Sequence, residues 1–241
     1  MSVEIPDEVY YTQRIVPFNE SEKGRTEIEE VIRLLRDAGV RGRVLDVGCG
    51  PGLNVARLRQ AGWRAVGADY SPAGMQIAAR RVGGALVNLD AHALGFRDGV
   101  FGGVVMTHAL GHVTDPARVL AEIHRVLAPG GAFVLTTPNR LYVEVYRVFN
   151  ERGLIPYRRD TTVLRYFDTP ALEAQLAAAG FRVKSLRTFG SLPALAPRLL
   201  QMNLLPGGIH LDDDARRERL ILLAHPEAPS PGRPGSRKDS T

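Results

Sequence analysis

The stretch VLDVGCGPG, residues 44–52, decides the fold prediction. Apolar residues and one acid, Asp46, lead into three closely spaced glycines, Gly48, Gly50 and Gly52. This order predicts a buried strand that runs into a glycine-rich turn, with a helix after it. Turns of this kind hold the polar part of a nucleotide-like cofactor, so the remaining question is which cofactor this turn accepts.

Strand and helix patterns alternate on both sides of the turn. Capping residues and terminal glycines bound helices that begin at about residues 24, 53, 71, 115 and 169. Short apolar runs predict seven strands, at 43–48, 64–70, 85–90, 101–107, 131–138, 181–189 and 219–226. The alternation predicts a doubly wound, mostly parallel α/β sheet, a Rossmann-like three-layer αβα sandwich. Ligands of such sheets lie beyond the carboxyl ends of the strands, where the strand order reverses.

Composition restricts the class of protein. The chain has 241 residues, of which 44% are hydrophobic and 24% charged, as is ordinary for a soluble globular domain. Its one cysteine, Cys49, cannot form an internal disulfide, and its first residues lack the pattern of a signal peptide; both favour a cytoplasmic protein. No stretch approaches the ~20 apolar residues of a membrane helix. The net charge of +5 comes from arginines spread along the chain, so no nucleic-acid surface and no membrane contact are predicted.

One domain is predicted over residues 1–226, with two long segments inserted on the substrate side. The segment 140–169 is too long for a plain connection and is rich in aromatic residues, which predicts either a wall for a flat acceptor or a small core of its own. The segment 190–218 either completes the pocket or forms a homodimer surface. Residues 227–241 are rich in Pro, Ser, Gly and charge, which predicts a disordered tail.

The glycine spacing and three acids bear on the cofactor. A triphosphate loop needs GxxxxGK followed by Ser or Thr, which this turn lacks, and the dinucleotide fingerprint GxGxxG is one residue longer than the spacing here. Asp46 would repel a pyrophosphate but accept an ammonium group. Asp69, at the end of the second strand, serves ribose hydroxyls in either cofactor class. Asp90, followed by the small Ala91, is placed to accept a hydrogen bond from an adenine amino group.

With these features the chain resembles the class I S-adenosylmethionine-dependent methyltransferases, in the small-molecule group that includes the ubiquinone and menaquinone methyltransferases. The resemblance covers roughly residues 40–140, with a weaker echo in LRYFDTPALEAQLAAAGF. It is carried by VLDVGCGPG, VGADYSP, LDAHALGF, VMTHALGHVTDP and ARVLAEIHRVLAPGGAFVLTTPN. It implies S-adenosylmethionine as cofactor, with S-adenosylhomocysteine as product, and says little about the methyl acceptor.

The resemblance also assigns residues to parts of the cofactor. Asp69 accepts bonds from the ribose hydroxyls, Tyr70 packs on the adenine, and Asp90 with Ala91 holds the adenine edge. Thr107 and His108 line the space near the sulfonium. The methionine part lies against the turn, at Asp46, Gly48, Cys49, Gly50 and Gly52.

Two histidines are candidates for catalysis. The imidazole of histidine is a common general base near neutral pH, so either His108 or His112 could act as a base, although His112 also fits a structural role before a helix. No third ligand is evident beside them, so no metal is predicted. The related ubiquinone O-methyltransferases carry carboxylates at the positions of His108 and Gly111, which speaks against a metal-dependent catechol enzyme. A second departure is Gly102–Gly103, where an Asp is common.

The predicted function is methyl transfer to a small molecule, with O- or N-methylation favoured over C-methylation. Tyr11, Tyr142 and Tyr146 are the candidate acceptor contacts. Three alternatives stay open at this point: a methyltransferase for a macromolecule, an NAD-dependent oxidoreductase, and a protein that binds the cofactor without catalysis.

Overall fold

The computed structural model describes residues 6–153, 160–189 and 219–227. The chain begins with α1 (Glu8–Tyr10), a π-helical turn (Tyr11–Ile15) and α2 (Val16–Glu20). The further helices are α3 (Glu22–Asp37), α4 (Leu53–Gln60), α5 (Pro72–Val82), α6 (Pro116–Val126), α7 (Arg140–Glu151) and α8 (Thr169–Ala178), with a 3₁₀ turn at Leu110–His112. The strands are β1 (Arg43–Val47), β2 (Arg64–Asp69), β3 (Leu86–Asn88), β4 (Phe101–Thr107), β5 (Leu127–Pro138), β6 (Phe181–Phe189) and β7 (Arg219–Pro226).

The strands form one sheet in the order β3-β2-β1-β4-β5-β7-β6. β1 to β5 are parallel, whereas β7 is antiparallel to both β5 and β6. The order reverses between β1 and β4, which places the expected ligand position at the carboxyl ends of these two strands.

Apolar residues pack against both faces of the sheet. One cluster joins α6 and α8 to the sheet through Leu120, Ile123 and Leu172. The other joins α3 and α4 through Val31, Leu35 and Leu58. Successive residues of β4 alternate between the two clusters, as the two-residue period of a strand requires. The result is the three-layer αβα sandwich.

The turn after β1 requires its glycines. Gly48, Gly50 and Gly52 have φ angles of 74°, 47° and 76°, in the left-handed region that other residues rarely adopt. Space is also limited, because a Cβ on Gly48 would lie 2.4 Å from the Cβ of Ala109. The turn therefore brings the backbone of β1 close to the loop that follows β4.

The glycine pair at 102–103 has a packing reason. A Cβ on Gly102 would lie 2.2 Å from the carbonyl oxygen of Arg41, and a Cβ on Gly103 would lie 2.8 Å from Val40 Cγ1. The connection between α3 and β1 thus crosses directly over the start of β4. This contact explains why two glycines stand where an Asp is common.

The predicted fold class and all seven predicted strands are confirmed. β5 begins at Leu127, earlier than the predicted residue 131, because Leu127 pairs with Phe101 across an irregular register. The N-terminal helices α1 and α2 carry no clear periodicity in the sequence. The domain limits stay predictions, and the segment 190–218 and residues 228–241 lie outside the described residues.

We expect Gly102→Ala to destabilise the fold by about 1–3 kcal/mol, since the added methyl meets fixed backbone at Arg41. Gly84→Ala is the matched control, because a Cβ there meets no described atom within 4 Å and its φ is unremarkable. Urea unfolding measures both variants, and the control should stay within about 0.5 kcal/mol of the parent. Equal stability of the two variants would contradict the crossing at Gly102.

Candidate functional site

A cavity of about 870 Å³ opens at the carboxyl ends of β1, β2 and β4. The turn 48–52, the end of β2 and the start of the loop after β3 form one end of it. The N-terminal helices, the loop after β4 and residues 160–166 form the other end. The cavity lies at the switch point that the strand order predicts.

The N–H groups of the turn donate hydrogen bonds to oxygen atoms of the protein itself. Gly48 and Cys49 both donate to the carbonyl of Ala68, at 2.8 and 3.1 Å, and Gly52 donates to Cys49 at 3.0 Å. Gly50 donates to Asp69 Oδ2 at 2.7 Å, and Pro51 has no N–H. A phosphate would need such donors turned toward it. From Gly48 to Gly52 they are engaged, so the turn suits a ligand that carries no phosphate.

Asp69 has two functions at the end of β2. Its carboxylate accepts from the Gly50 N–H and, at 2.8 Å, from the Ser71 N–H, so it fixes the glycine turn as well as facing the cavity. Burial raises its pKa, and these N–H groups oppose the rise. Each oxygen retains a lone pair for a ribose hydroxyl. The neighbouring Tyr70 also lines the cavity and is 57% exposed, so its ring is accessible for packing on a flat ligand group such as an adenine.

Asp90 and Ala91 line the cavity beyond β3. Asp90 accepts from the backbone N–H of His92 at 2.9 Å and contacts its Nδ1 at 2.5 Å. Burial acts to raise the pKa of Asp90, but these contacts outweigh it and lower the pKa. The carboxylate is therefore charged at neutral pH and can accept from an amino group, as the sequence predicts.

Asp46 is the most unusual side chain of the site. It is fully buried at the end of β1, and neither carboxylate oxygen has a hydrogen-bond partner among the described residues. Burial, with the charge of Asp69 adding to it, raises its pKa to about 8. An unpaired buried carboxyl group is costly, and a nearby cationic ligand group offsets that cost.

The side chains of Thr107 and Cys49 differ in their exposure to the cavity. Thr107 Oγ1 accepts a 2.7 Å hydrogen bond from Asn54 Nδ2, and both residues line the cavity. The Cys49 side chain is only 5% exposed and packs into the core formed with α3 and α4. Its thiol lies 3.9 Å from Met75 Sδ, and burial raises its pKa. Cys49 thus contributes to the turn through its backbone.

His108 stands directly after β4 with a left-handed φ of 54°, an uncommon conformation for a residue with a side chain. Its N–H donates to the Thr136 carbonyl at 2.9 Å, which helps to hold this conformation. The imidazole is 27% exposed, lines the cavity, and meets Phe18 edge-on with the ring centroids 5.8 Å apart. Its Nε2 lies 2.7 Å from Glu27 Oε1, although the N–H direction is not that of a hydrogen bond.

His112 belongs to a second polar group of residues. Its Nδ1 lies 3.1 Å from Thr162 Oγ1, which donates to Asp160 Oδ1 at 2.6 Å. Asp160 in turn accepts from Tyr10 Oη at 3.0 Å and pairs with Arg14 at 3.4 Å. Burial lowers the pKa of His112, against the opposing charge of Asp160. These contacts fasten the N-terminal helices over the cavity, which favours the structural role for His112.

The three tyrosines predicted to contact the acceptor have different positions. Tyr11 is 5% exposed and packs on the glycine turn: a Cβ on Gly50 would lie 3.1 Å from its ring. Tyr142 lines the cavity from α7. Tyr146 stacks behind Tyr142 at 4.5 Å between centroids and does not line the cavity itself. Tyr146 therefore supports the wall, and a direct acceptor contact by it stays a prediction.

Sequence reasoning missed Glu27, Arg219 and Asp160. Glu27 lies on a helix and Arg219 at the start of β7, so each is typical of a solvent-facing charge in the sequence alone. Gly111 has a local reason: a Cβ there would lie 2.7 Å from the Arg165 carbonyl, and its own carbonyl accepts from the N–H groups of Leu164 and Arg165. Residues 160–166 can approach the loop after β4 because position 111 has no side chain.

No group of three or more His, Cys, Asp or Glu side chains in the described ranges is arranged to hold a metal ion. Within the same ranges, no helix has the length and apolar character needed to cross a membrane.

These features define a site for a nucleoside with a cationic, phosphate-free extension, and S-adenosylmethionine fits it. Asp90 and Asp69 line the cavity, where they can accept from an amino group and from ribose hydroxyls, and the glycine turn allows close backbone approach. Asp46 is buried next to the turn and does not line the cavity, but its unpaired carboxyl group favours a cationic ligand group nearby. A methyltransferase domain model matches residues 20–186, and the chain belongs to this family. It is an S-adenosylmethionine-dependent methyltransferase.

Relatives and solved structures agree with this assignment. The chain is 36% identical over 172 residues to the demethylmenaquinone methyltransferase of Thermus thermophilus, covering 61% of this chain and 78% of that protein. It is 30% identical over 177 residues to the ubiquinone/menaquinone biosynthesis C-methyltransferase UbiE of Geobacter sulfurreducens, covering 62% of this chain and 69% of that protein. A chain from a complex between the Haloferax volcanii Trm112 methyltransferase activator and a methyltransferase has the same fold. Its TM-score is 0.68 at 19% identity, with 94% of this chain and 100% of that chain covered.

We expect cofactor binding to release a proton from Asp46. With a pKa of about 8 the carboxyl group is protonated at pH 7, and a ligand ammonium group nearby favours its charged form. Calorimetric titration with S-adenosylhomocysteine at pH 7 should give enthalpies that depend on the ionisation enthalpy of the buffer. The dependence should disappear in Asp46→Asn, and buffer-independent enthalpies in the parent protein would contradict the assignment.

The same raised pKa has a consequence for the ligand-free protein. Ionisation of Asp46 opposes folding, so stability is expected to fall as the pH rises from about 4 to about 8, whereas Asp46→Asn should lack this contribution.

Proposed function

We propose that this methyltransferase acts on a small, largely apolar acceptor that carries an acidic hydroxyl group, such as a phenol or a reduced quinone. The observation that supports this most directly is the position of His108, whose imidazole borders the cavity beside Thr107 and the glycine turn. A histidine there can take the proton of a hydroxyl group that must ionise before it attacks a methyl group. S-adenosylmethionine supplies that methyl group as an activated electrophile.

The shape and lining of the cavity favour a small molecule. Its volume of about 870 Å³ lies in the upper part of the range of roughly 300–1,000 Å³ for small-molecule sites, which leaves room for an acceptor beside the cofactor. Phe18, Tyr142 and Tyr166 supply aromatic rings to the cavity lining, and Val143 and Val163 add aliphatic surface. A flat ring is the acceptor shape that such a lining favours.

Two relatives have names that refer to quinones: demethylmenaquinone in one, and ubiquinone and menaquinone biosynthesis with C-methylation in the other. Loss of a hydroxyl proton from a reduced quinone spreads negative charge over the oxygen and the adjacent ring carbon. The same base therefore serves the attack in both O- and C-methylation, and the position of the ring relative to the methyl group decides between them. In C-methylation the methylated ring carbon then loses its own proton and the oxygen regains one, which restores the aromatic ring and the hydroxyl group. The sequence-based preference for O- or N-methylation stays a prediction, which the relatives' names do not favour.

The other partner predictions also stay proposals. They are a small-molecule acceptor, a homodimer, the absence of nucleic acid and a cytoplasmic location. The Haloferax volcanii structure contains an activator protein, but at 19% identity the likeness supports the fold and no partner for this chain.

We expect the purified protein to methylate reduced naphthoquinones or benzoquinones in the presence of S-adenosylmethionine, detected by mass spectrometry of the product. His108→Ala should lower kcat by about a hundredfold or more, since general base catalysis contributes roughly 10²–10⁴. His124→Ala is the control, because this histidine packs on Phe181, away from the cavity. Full activity of His108→Ala, or turnover of amines and thiols but not of hydroxyl compounds, would contradict the proposal.

A further inference from the structure

We propose that Glu27 is the positioning residue for His108: its buried carboxylate determines which imidazole nitrogen faces the acceptor and stabilises the imidazole once it carries the acceptor's proton. This inference rests on the proposed function, in which His108 is the base. It adds a residue from α3, which lies outside every motif that identifies the cofactor site.

Glu27 is buried, unlike most acidic residues on helix surfaces. It is 6% exposed, and its side chain contacts residues from the loop after β4, from β5 and from β7. Oε1 lies 2.7 Å from His108 Nε2 and accepts a 2.5 Å hydrogen bond from Thr136 Oγ1, whereas Oε2 pairs with Arg219, which is 4% exposed. The Arg219 guanidinium also lies over the Phe18 ring, 4.6 Å from its centroid. The carboxylate is therefore held at both oxygens.

The charge of Glu27 is maintained in this environment. Burial acts to raise its pKa, but His108, Arg219 and Thr136 outweigh burial and lower the pKa. Glu27 and Arg219 together form a nearly neutral pair, which reduces the cost of placing either charge inside the protein. Three charged or titratable groups surround His108. Glu27 from α3 contacts it, Arg219 from β7 pairs with Glu27, and His112 from the 3₁₀ turn interacts with it electrostatically.

A charged carboxylate at this distance selects one tautomer of His108. At 2.7 Å the negative carboxylate repels a lone pair on Nε2 and attracts an N–H hydrogen, even without the alignment of a hydrogen bond. Nε2 therefore carries the hydrogen and Nδ1 keeps a lone pair. Nδ1 makes no hydrogen bond with any residue in the described ranges, and the side chain borders the cavity. Nδ1 is therefore the atom that receives the proton of the acceptor.

The step balances without any further reactant. The O–H bond of the acceptor breaks, its electron pair stays on the acceptor, and the proton forms an N–H bond at Nδ1. The ionised acceptor then bonds to the methyl carbon, and the electron pair of the broken S–C bond stays on sulfur. The imidazolium lies next to Glu27 throughout and returns the proton to water when the product leaves. The negative charge of Glu27 lies 2.7 Å from Nε2, and its attraction for the imidazolium favours this protonated state.

The test is Glu27→Gln, which keeps the shape and removes the charge. With a reduced naphthoquinone as acceptor, we expect kcat to fall about ten- to a hundredfold, with S-adenosylhomocysteine affinity unchanged within about twofold. The acidic limb of the kcat/KM profile should move to lower pH, because the protonated imidazole has lost its counter-charge. In a His108→Ala background the same substitution should have no further effect, since residues that act as a unit are not additive.

Glu30→Gln is the matched control on the same helix. Glu30 also pairs with an arginine, Arg33, but lies outside the cavity, so its substitution should leave kcat and the pH profile unchanged. If Glu27→Gln fails to fold because Arg219 loses its partner, the double variant Glu27→Gln/Arg219→Met removes both charges and should show the same loss of kcat.

A second measurement needs neither an acceptor nor a variant that folds poorly. The ¹⁵N chemical shifts of His108 in the parent protein, identified by their absence in His108→Ala, should show a protonated Nε2 and an unprotonated Nδ1 at neutral pH. The opposite tautomer would overturn the inference. So would a Glu27→Gln enzyme with normal kcat and an unmoved pH profile, provided that His108→Ala is inactive. Activity of His108→Ala would instead remove the proposed base itself.

Discussion

The hydrogen bond from the Gly50 N–H to Asp69, 2.7 Å long, joins the two strand ends on which the site depends. It connects the turn after β1 to the end of β2, and the N–H groups of Gly48 and Cys49 strengthen the same connection through the Ala68 carbonyl. Because these donors are engaged within the protein, the turn offers close backbone approach in place of a phosphate cradle. This constraint leaves the Asp69 carboxylate facing the cavity and the Asp46 carboxyl group buried without a hydrogen-bond partner among the described residues. We propose that Asp69 binds the ribose hydroxyls and that Asp46 favours the ammonium group of the cofactor.

The acceptor end depends on contacts of a different kind. There the loop after β4, the start of β7 and α3 meet at Glu27, whose two oxygens hold three partners. The N-terminal helices are held against the cavity by Asp160, which accepts a hydrogen bond from Tyr10 and forms an ion pair with Arg14. The cofactor end is thus made by local turns, and the acceptor end by residues brought from distant parts of the chain.

This difference explains how much the sequence could predict. The strands, the turn and the three acids Asp46, Asp69 and Asp90 have short-range patterns, and the structure places them at one edge of the sheet as expected. Glu27 and Arg219 are 192 residues apart, and no local pattern pairs them. The same limit applies to Tyr146, a candidate acceptor contact whose ring packs on Tyr142 while only Tyr142 lines the cavity, an arrangement that the sequence alone does not specify. The sequence predicts that Asp69 binds ribose, but not that it also accepts a hydrogen bond from the turn, because that contact depends on how β1 and β2 pair.

The most direct measurement is a crystal structure of the protein with S-adenosylhomocysteine. We predict the adenine at Asp90 and Ala91, the ribose hydroxyls on Asp69, the ammonium group on the Asp46 side of the turn, and the sulfur facing the space beside Thr107 and His108. A nucleoside bound with its sulfur directed away from His108, or an adenine bound beside Phe18 and Tyr142, would contradict this arrangement.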